Sequence, residues 1–469
     1  MEKGRLNGKK IEEVRKNMRE FLAELGREGS LLKVTKEVDL RNISSLISQA
    51  NGPIMFQAIK DYKQFSVVSG FFRNREILAR VLNCSPRRIA QRFEAAINAT
   101  VSPVTVKEAP VKEIIRQGKE MNLADLPIPL QHVGDGGPYI SGAVLIADDP
   151  LREYGINLGF YRLMYRTKNQ TGIAIDLDSD LGRYYERALK TKKPLPVSVA
   201  IGVHPAIMAA AAYKAPLGTS EYTIAGSLMQ QPIKLTRGIT NQLLIPANAE
   251  IVLEGEILPM GWVEQEGPFG EFTGYQSENN WNPTIKFNCM LMRQNPIYYA
   301  LGMPWENNWL LATGTEALVL KAITNAGVKV HEVRSTIGGA CLWYIIASIE
   351  KQAGGGKNAI LAALSTGSVK LAIITDHDVD IFNQDELDRA IIFRVRPQED
   401  VMIIKGARAY NSDPSVTAWS DTAWKLPRNS LTTTSKIGID ATIPEDIPIE
   451  RYQKAAIFRE MDVTLEDYL

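Results

Sequence analysis

The segment 266–271, Glu-Gly-Pro-Phe-Gly-Glu, carries the most informative pair of acids in the sequence. Two glutamates bracket a tight turn, which can direct both carboxylates into one cavity. Like charges held close together raise the pKa of one carboxyl, so that one acid can stay protonated at neutral pH and deliver a proton. A surface turn with two solvated acids remains an open alternative when the spacing is considered by itself.

Two other segments offer groups that suit an anion and a cation. Segment 157–162, Asn-Leu-Gly-Phe-Tyr-Arg, places an amide and a guanidinium five residues apart. The planar fork of arginine can hold a substrate carboxylate through two hydrogen bonds. Segment 216–221, Pro-Leu-Gly-Thr-Ser-Glu, ends in an acid after a turn, and a carboxylate there suits a hard cation.

The elements that must position these segments differ along the chain. Up to about residue 110 the pattern predicts a small α/β unit, and from about 125 it predicts a β-rich barrel or sandwich. Beyond 310 helices and strands alternate, as in a second α/β domain. The expected helices cover 10–26, 74–97, 205–214, 318–325, 342–353 and 386–393, with an amphipathic helix from Ile449 that could dock on a neighbouring subunit. The expected strands cover 31–38, 53–69 as strand–turn–strand, 140–147, 173–177, 197–203, 251–258, 285–292, 297–301, 329–333 and 371–375.

Bulk properties favour a protein of an aqueous, reducing compartment, and we expect a cytoplasmic location. The 54 basic and 53 acidic residues among 469 give no global field for nucleic acid or an anionic membrane. The three cysteines show no paired spacing, which argues against disulfides and a thiolate zinc site. The polar N-terminus lacks the apolar region of a signal peptide, and the most apolar stretch, 197–213, is too short to span a bilayer.

Three other patterns receive structural interpretations. The Gly-Gly-Gly-Lys run at 354–357 lacks the spacing of a phosphate loop and is interpreted as a helix–helix turn. The alternating aspartates at 376, 378 and 380 lack the glycine and distal glutamate of a calcium loop and predict a turn at a strand end. Structural or surface roles are expected for the scattered histidines His132, His204, His331 and His377.

Taken in order, the segments resemble the motifs of the UbiD family of prenylated-FMN-dependent decarboxylases. Asn-x-x-x-x-Arg, Pro-x-Gly-x-Ser-Glu and Glu-Gly-Pro-Phe-Gly-Glu followed by Thr-Gly-Tyr occur in the family's order and spacing. Supporting similarities lie at 135–140, 246–255, 376–380 and 435–442, so the resemblance covers nearly the whole chain.

The resemblance implies an α+β and α/β multidomain fold. An N-terminal α/β domain would cover residues 1–115 and a central flavin-binding split β-barrel residues 116–310. A C-terminal α/β domain with an oligomerisation tail would cover 311–469. It also implies a homo-oligomer, either a dimer or a hexamer. The balanced charge predicts that this protein binds no nucleic acid and no membrane.

The same resemblance implies a prenyl-FMN-dependent reversible decarboxylase, or carboxy-lyase. The cofactor would be supplied by a partner flavin prenyltransferase and held with Mn²⁺ (or Mg²⁺) and K⁺. Asn157 and Glu221 fall on the family's metal ligands, and Arg162, Glu266 and Glu271 on its Glu–Arg–Glu network. Arg162 would clamp the substrate carboxylate, Glu271 would protonate the carbon, and Glu266 would tune both.

One departure concerns the third metal ligand, commonly a histidine about 18 residues after the arginine in this family. The neighbourhood 171–180 contains no histidine, and Asp178 or Asp180 could replace it. An equal alternative is that these acids cap a helix starting near Leu181. Other residues expected beside the cofactor are Gly159, Phe160, Tyr161, Ala212, Tyr213, Lys214 and Lys370, with helix-end or strand-edge surface as the alternative for the last three.

The substrate class is less constrained by the residues. The aromatic and apolar segment formed by Trp305, Trp309, Leu310 and Leu311 could line a pocket for a planar ring, or belong to the core. We expect a benzoate-type acid, phenolic acids included, rather than an acyclic α,β-unsaturated acid. The alternatives are a non-catalytic or divergent subunit of a phenylphosphate carboxylase-like assembly, favoured by the missing histidine, and an ordinary FMN oxidoreductase.

Overall fold

The computed structural model describes residues 17–410, 412–416 and 433–455. The helices are α1 (Met18–Arg27), α2 (Ile43–Gln49), α3 (Arg75–Leu82), α4 (Ile89–Asn98), α5 (Asp180–Lys190), α6 (Pro205–Ala211), α7 (Glu221–Leu228), α8 (Trp305–Asn325), α9 (Gly355–Ser365), α10 (Gln384–Arg394) and α11 (Pro397–Asp400). The strands are β1 (Leu32–Val34), β2 (Ile54–Phe56), β3 (Ser66–Ser69), β4 (Val104–Thr105), β5 (Ile114–Gln117), β6 (Tyr139–Ile140), β7 (Ala143–Asp148), β8 (Ile156–Phe160), β9 (Leu163–Thr167), β10 (Gln170–Ile173), β11 (Leu195–Ile201), β12 (Lys234–Arg237), β13 (Leu244–Pro246), β14 (Ile251–Ile257), β15 (Glu264–Glu266), β16 (Asn280–Asn282), β17 (Thr284–Met292), β18 (Ile297–Tyr299), β19 (Val330–Ser335), β20 (Tyr344–Ile349), β21 (Leu371–Asp376), β22 (Val401–Arg408) and β23 (Thr433–Ala441).

The N-terminal part is an α/β unit whose sheet has the strand order β1-β2-β3-β18. The fourth strand comes from much later in the chain, because β18 pairs in parallel with β3 and places Ile297 opposite Ser66. The expected helix over 74–97 is two helices. It breaks after α3, where Asn83 takes a left-handed conformation (φ 54°) and Pro86 starts a short 3₁₀ turn.

The central part is a curled antiparallel sheet of nine strands that remains open at β6 and β8. Its buried middle strands β11 and β14 pair over seven positions, from Leu195–Ile257 to Ile201–Ile251. Strand β5, which lies on either side of the expected boundary at 115, pairs with β17 in this sheet. The expected strand over 173–177 is wrong beyond Ile173, because the chain leaves the sheet there and the Ile175 amide donates to the side chain of Asn282 (3.1 Å).

The C-terminal part has a five-stranded sheet in the order β19-β20-β21-β23-β22, with β20, β21 and β23 parallel. The expected helix over 342–353 is wrong, since residues 344–349 form β20. A buried strand of a parallel sheet is apolar on both faces, so its pattern cannot be separated from that of a buried helix. The run at 354–357 forms the N-cap and first residues of α9, which follows strand β20, so it does not join two helices.

Two other differences concern helices. Helix α8 begins at Trp305, 13 residues before the start expected at Leu318, and is 21 residues long. The terminal segment starts with a short 3₁₀ helix, Ile449–Tyr452, while residues 456–469 of the expected terminal helix lie outside the described residues. Among the described helices, none combines the length and the hydropathy needed to cross a membrane.

Candidate active site

Arg162 lies between Glu266 and Glu271, although about a hundred residues separate it from them in the sequence. Its Nε and Nη2 donate to the two carboxylate oxygens of Glu266 at 2.9 and 2.7 Å. Its Nη1 donates to Glu271 at 2.6 Å and to the Ser277 hydroxyl at 3.3 Å. The Arg162 and Glu271 side chains are only 8% and 11% exposed, and that of Glu266 is fully buried. We call these three residues the acid–arginine cluster.

The backbone places the three groups at the ends of strands. Arg162 follows β8, Glu266 ends β15, and the turn 267–270 carries the chain to Glu271. Gly267 has a φ of +113°, and a Cβ there would lie 2.6 Å from the carbonyl oxygen of Glu278. Only glycine satisfies both conditions, so this turn needs the residue that the sequence supplies.

The electrostatics of the cluster differ from those expected for two neighbouring acids with no positive charge between them. Arg162 is interposed between the carboxylates, so its charge offsets their mutual repulsion. Burial by itself lowers the pKa of Arg162, but the charges of Glu266 and Glu271 outweigh it and raise the pKa above the ordinary value. The guanidinium also lies 5.0 Å from the centre of the Phe269 ring, a cation–π contact. Arg162 is therefore a fixed positive charge.

The cluster opens onto a cavity of about 390 Å³ between the central sheet and the C-terminal part. This volume falls in the usual range for small-molecule sites, about 300–1,000 Å³. The predicted residues that line it are Asn157, Gly159, Phe160, Tyr161, Arg162, Asp178, Asp180, Ala212, Tyr213, Lys214, Glu221 and Glu271. The C-terminal part contributes Gly367, Ser368, Arg408, Ala409, Tyr410 and Ser412.

Three side chains with oxygen atoms that could bind a cation line another wall of this cavity. Glu221 is the first residue of α7, and its carboxylate accepts from the Leu158 amide at 2.8 Å. Burial, reinforced by the charge of Asp180, raises the pKa of Glu221 to about 8. Burial also raises the pKa of Asp180. The side-chain nitrogen of buried Asn157 has no hydrogen-bond partner in the structure. The oxygens of an amide and of two acids whose charged forms are disfavoured by burial form a set that a hard divalent cation fits.

Asp178, the other predicted replacement for the histidine ligand, has a different partner. Its carboxylate forms an ion pair with Arg408 of β22, and its carbonyl oxygen accepts from Lys214 at 3.4 Å. Asp178 is thus already paired with a cation, whereas Asp180 lies close enough to Glu221 for its charge to raise the pKa of that carboxyl. Neither acid is the N-cap of α5, because Ser179 takes that position and its hydroxyl accepts from the Gly182 amide at 3.0 Å. Asp180 is the first residue of the helix, where an acid is favourable, so the helix-start alternative stays open for it.

The remaining predicted residues differ in their positions. Tyr213 is buried against Phe93, with ring centres 5.5 Å apart, so the alternative of a helix-end surface residue is wrong for it. Lys370 is not among the cavity-lining residues, and its amine contacts Asp413 at 2.7 Å and Ser415 at 2.5 Å. Of the aromatic and apolar segment, Leu311 lines the cavity, Leu310 is in the core, and Trp305 lies under Arg73.

Sequence reasoning missed several residues that hold the cluster in place. Asp135 accepts from the Gly270 amide at 2.8 Å and from the His132 amide at 2.9 Å, which fixes the turn before Glu271. Burial raises the pKa of Asp135, but its hydrogen bonds with His132 and Gly270 bring it below the ordinary value. The Ser277 hydroxyl accepts from Phe269 at 3.1 Å as well as from Arg162. The supporting similarity at 135–140 was the one signal for Asp135.

Family profiles match most of the chain. Residues 22–97 match the N-terminal domain, 103–304 the Rift-related domain and 308–441 the C-terminal domain, each described as belonging to 3-octaprenyl-4-hydroxybenzoate carboxy-lyase, or UbiD.

Solved and curated relatives agree with these profiles. The UbiD-class enzyme HmfF from Pelotomaculum thermopropionicum, solved in complex with FMN, is 35% identical, with 97% of this chain and 100% of that chain covered and a TM-score of 0.88. An anhydromevalonate phosphate decarboxylase of Methanocaldococcus jannaschii is 32% identical, with 88% and 94% of the two chains covered. A phenolic acid decarboxylase of Bacillus subtilis is 30% identical, with 91% and 92% covered. With three domain profiles in register and relatives of matching length, the chain belongs to the UbiD family and is one of its carboxy-lyases.

Proposed function

We propose that this protein is a prenyl-FMN-dependent, reversible decarboxylase of an aromatic carboxylic acid. The observation that carries the proposal is the buried Arg162, held between Glu266 and Glu271 at the wall of the cavity. An arginine in this position offers a carboxylate anchor, and an adjacent acid offers a proton. Those are the two functions that the protein must supply in a decarboxylation that ends in carbon protonation.

The cofactor is supported by the relatives and by the donor set. HmfF has been solved with FMN and, in an evolved dimeric form, with prFMN. In this chain Asn157, Asp180 and Glu221 would hold Mn²⁺ or Mg²⁺, because hard cations prefer such oxygen ligands. When bound, the modified flavin supplies the electron sink that loss of CO₂ from an sp² carbon requires.

The hydrogen bonds of Arg162 suggest how substrate binding and proton loading are linked. A guanidinium has five N–H bonds, and four of them are directed to Glu266, Glu271 and Ser277. A substrate carboxylate therefore gains a two-point contact only if Nη1 is released. Protonation of Glu271 weakens its charge-assisted bond to Nη1. Loading the acid with a proton thus makes the anchor available.

Protonation also gives Glu271 the neutral carboxylic acid form that the reaction needs. After CO₂ departs, its proton goes to the substrate carbon, and the carboxylate can then return to Arg162. Glu266 keeps both of its hydrogen bonds to Arg162 during this exchange and holds the guanidinium plane fixed. In the carboxylation direction Glu271 would take the proton from the same carbon.

The cavity wall favours a planar aromatic acid. Phe269, Phe272, Leu301, Met303 and Leu311 give it apolar surface, and Ser141 and Asn307 offer a few polar contacts. A benzoate-type ring, with or without a phenolic hydroxyl, matches an apolar wall with isolated hydrogen-bonding groups. The name of the Bacillus subtilis relative, a phenolic acid decarboxylase, points in the same direction.

Co-expression with a flavin prenyltransferase tests the proposal. The purified protein should carry a modified flavin, seen by absorbance and mass spectrometry, together with stoichiometric Mn²⁺ or Mg²⁺. It should release CO₂ from one member of a panel of benzoic, phenolic and acrylic acids, or exchange the product hydrogen in D₂O. Unmodified FMN without exchange would support an oxidoreductase instead, and absence of flavin would support a non-catalytic subunit.

A further inference from the structure

Two histidines and a glutamate meet on the C-terminal sheet, away from the cavity. His331 Nε2 and a carboxylate oxygen of Glu350 are 2.6 Å apart. The rings of His331 and His377 stack, with their centres 4.8 Å apart and their planes at 24°. One ligand-type atom from each of the three residues lies within 4.8 Å of the others. We call this group the His–Glu–His cluster.

The topology of the sheet explains why the three residues meet. Strands β20 and β21 are parallel, and Ile349 lies opposite Asp376 at their carboxyl ends. The next residues along each strand are Glu350 and His377, which therefore leave the sheet side by side. The β19–β20 ladder shifts its register between Val330 and Glu332, so His331 lies at the irregularity. Such a bulge re-aims a side chain, and carboxyl ends of parallel strands commonly bear ligand sites.

We propose that the His–Glu–His cluster binds a divalent transition ion of the zinc, cobalt or nickel type. Two imidazoles and a carboxylate, with water in the open position, are a preferred ligand set for such ions. A tetrahedral ion with bonds of about 2.0–2.1 Å separates its ligand atoms by about 3.3 Å. The side chain of His377 is exposed, so its rotation can bring its ring nitrogen to that distance from the ligand atoms of His331 and Glu350.

This ion would differ in kind from the one proposed for the cavity. The cavity set of Asn157, Asp180 and Glu221 consists of oxygen ligands, which suit Mn²⁺ or Mg²⁺. Imidazole nitrogen shifts the preference toward zinc, nickel and cobalt. Excess Mg²⁺ should therefore compete with a transition ion at the oxygen site but not at the His–Glu–His cluster.

Lys329 is the competitor that the ion must displace. Its amine lies 3.3 Å from Glu350. The same carboxylate is 2.6 Å from His331 Nε2, so the amine and the imidazole share the group that the ion would bind. Removing the Lys329 charge should therefore strengthen metal binding, whereas removing an imidazole should abolish it.

A bound ion would tie together three strands and the turn that follows β21. Asp380 in this segment pairs at 2.7 Å with Arg87 of the N-terminal part, which also contacts Glu332 at 3.2 Å. The ion would thus stabilise the contact between these two parts of the chain. A ligand that binds the folded state and not the unfolded one raises the melting temperature.

Calorimetric titration with ZnCl₂ tests the site in the full-length, tag-free protein, with excess Mg²⁺ present to fill the oxygen site. We expect one zinc equivalent and a rise in melting temperature for the wild type. Both should be lost in the double variant His331→Gln/His377→Gln. They should be kept in His132→Gln, which removes an imidazole elsewhere, and zinc should bind more tightly to Lys329→Met.

Anomalous diffraction from a zinc-soaked crystal gives an independent readout. A peak between His331, Glu350 and His377 is expected. The proposal is overturned if the wild type binds no zinc under these conditions. It is also overturned if the double variant, folded by circular dichroism, retains the equivalent, or if the anomalous peak lies elsewhere.

Discussion

The ring of Phe272 stacks on the ring of Trp343, with centres 5.5 Å apart and planes only 7° from parallel. Phe272 follows Glu271 directly, whereas Trp343 precedes β20 in the C-terminal part. Tyr410 completes the contact with centres 6.4 Å from Phe272 and 6.1 Å from Trp343. The position of the proposed proton donor is therefore coupled to the part of the chain that forms the opposite wall of the cavity.

Replacing Trp343 by Ala should lower kcat/KM by about tenfold, because aromatic pairs of this kind contribute about 0.5–1.5 kcal/mol beyond their buried area. Steady-state kinetics on the cofactor-loaded enzyme measure the effect. Trp343→Phe keeps an aromatic face and should recover most of the activity. Equal losses in both variants would contradict a role for the stacking.

Glu271→Gln should reduce turnover by about 10²-fold or more while flavin remains bound, since an amide cannot deliver the proton. Turnover is followed by CO₂ release, and flavin content by absorbance. Glu264→Gln, on the same strand as Glu266 but half-exposed at 48%, is the matched control and should be near wild type. Normal turnover by Glu271→Gln would remove this residue from the proposed chemistry.

Asp180→Asn should lose most of the bound Mn²⁺, whereas Asp178→Asn should keep it. Asp180 acts on the buried carboxyl of Glu221, while Asp178 is paired with Arg408. Metal analysis of proteins purified in parallel separates the two. If Asp178→Asn loses the metal and Asp180→Asn retains it, the ligand assignment is reversed.

The three thiols should not react with Ellman's reagent in the native protein at about pH 8. Burial raises the pKa of Cys84 and Cys289 to about 11 and that of Cys341 to about 12. Because the thiolate is the nucleophile, a raised pKa leaves little reactive form below pH 9 or so. Three thiols should titrate after denaturation, and fast native labelling would show that one of them is more accessible than the structure indicates.

Sequence reasoning succeeded where short motifs fix local geometry. The glycines and proline of 266–271 define a turn that presents both acids, and the structure places Arg162 between them. That meeting was implied by the family resemblance, because no local rule predicts a contact over 104 residues. The sequence did not distinguish Asp178 from Asp180, because it does not show that β22 brings Arg408 to Asp178.

Failures arose where tertiary packing decides the outcome. Residues 344–349 are apolar on both faces and form a strand where a helix was expected. The His–Glu–His cluster escaped notice because its members are 19 and 27 residues apart and become neighbours only through strand order. Metal-ligand spacing on a single helix does not detect residues that meet across a sheet.

The position of β18 in the N-terminal sheet has a consequence for protein engineering. The chain leaves the central sheet after β17, residues 297–299 complete the sheet that begins with β1, and the chain then continues into α8. A fragment cut before this segment would expose the edge of β3, which invites pairing with other chains. In a chimera between two relatives, residues 297–299 and the first hundred residues should therefore come from the same parent, because they form one sheet.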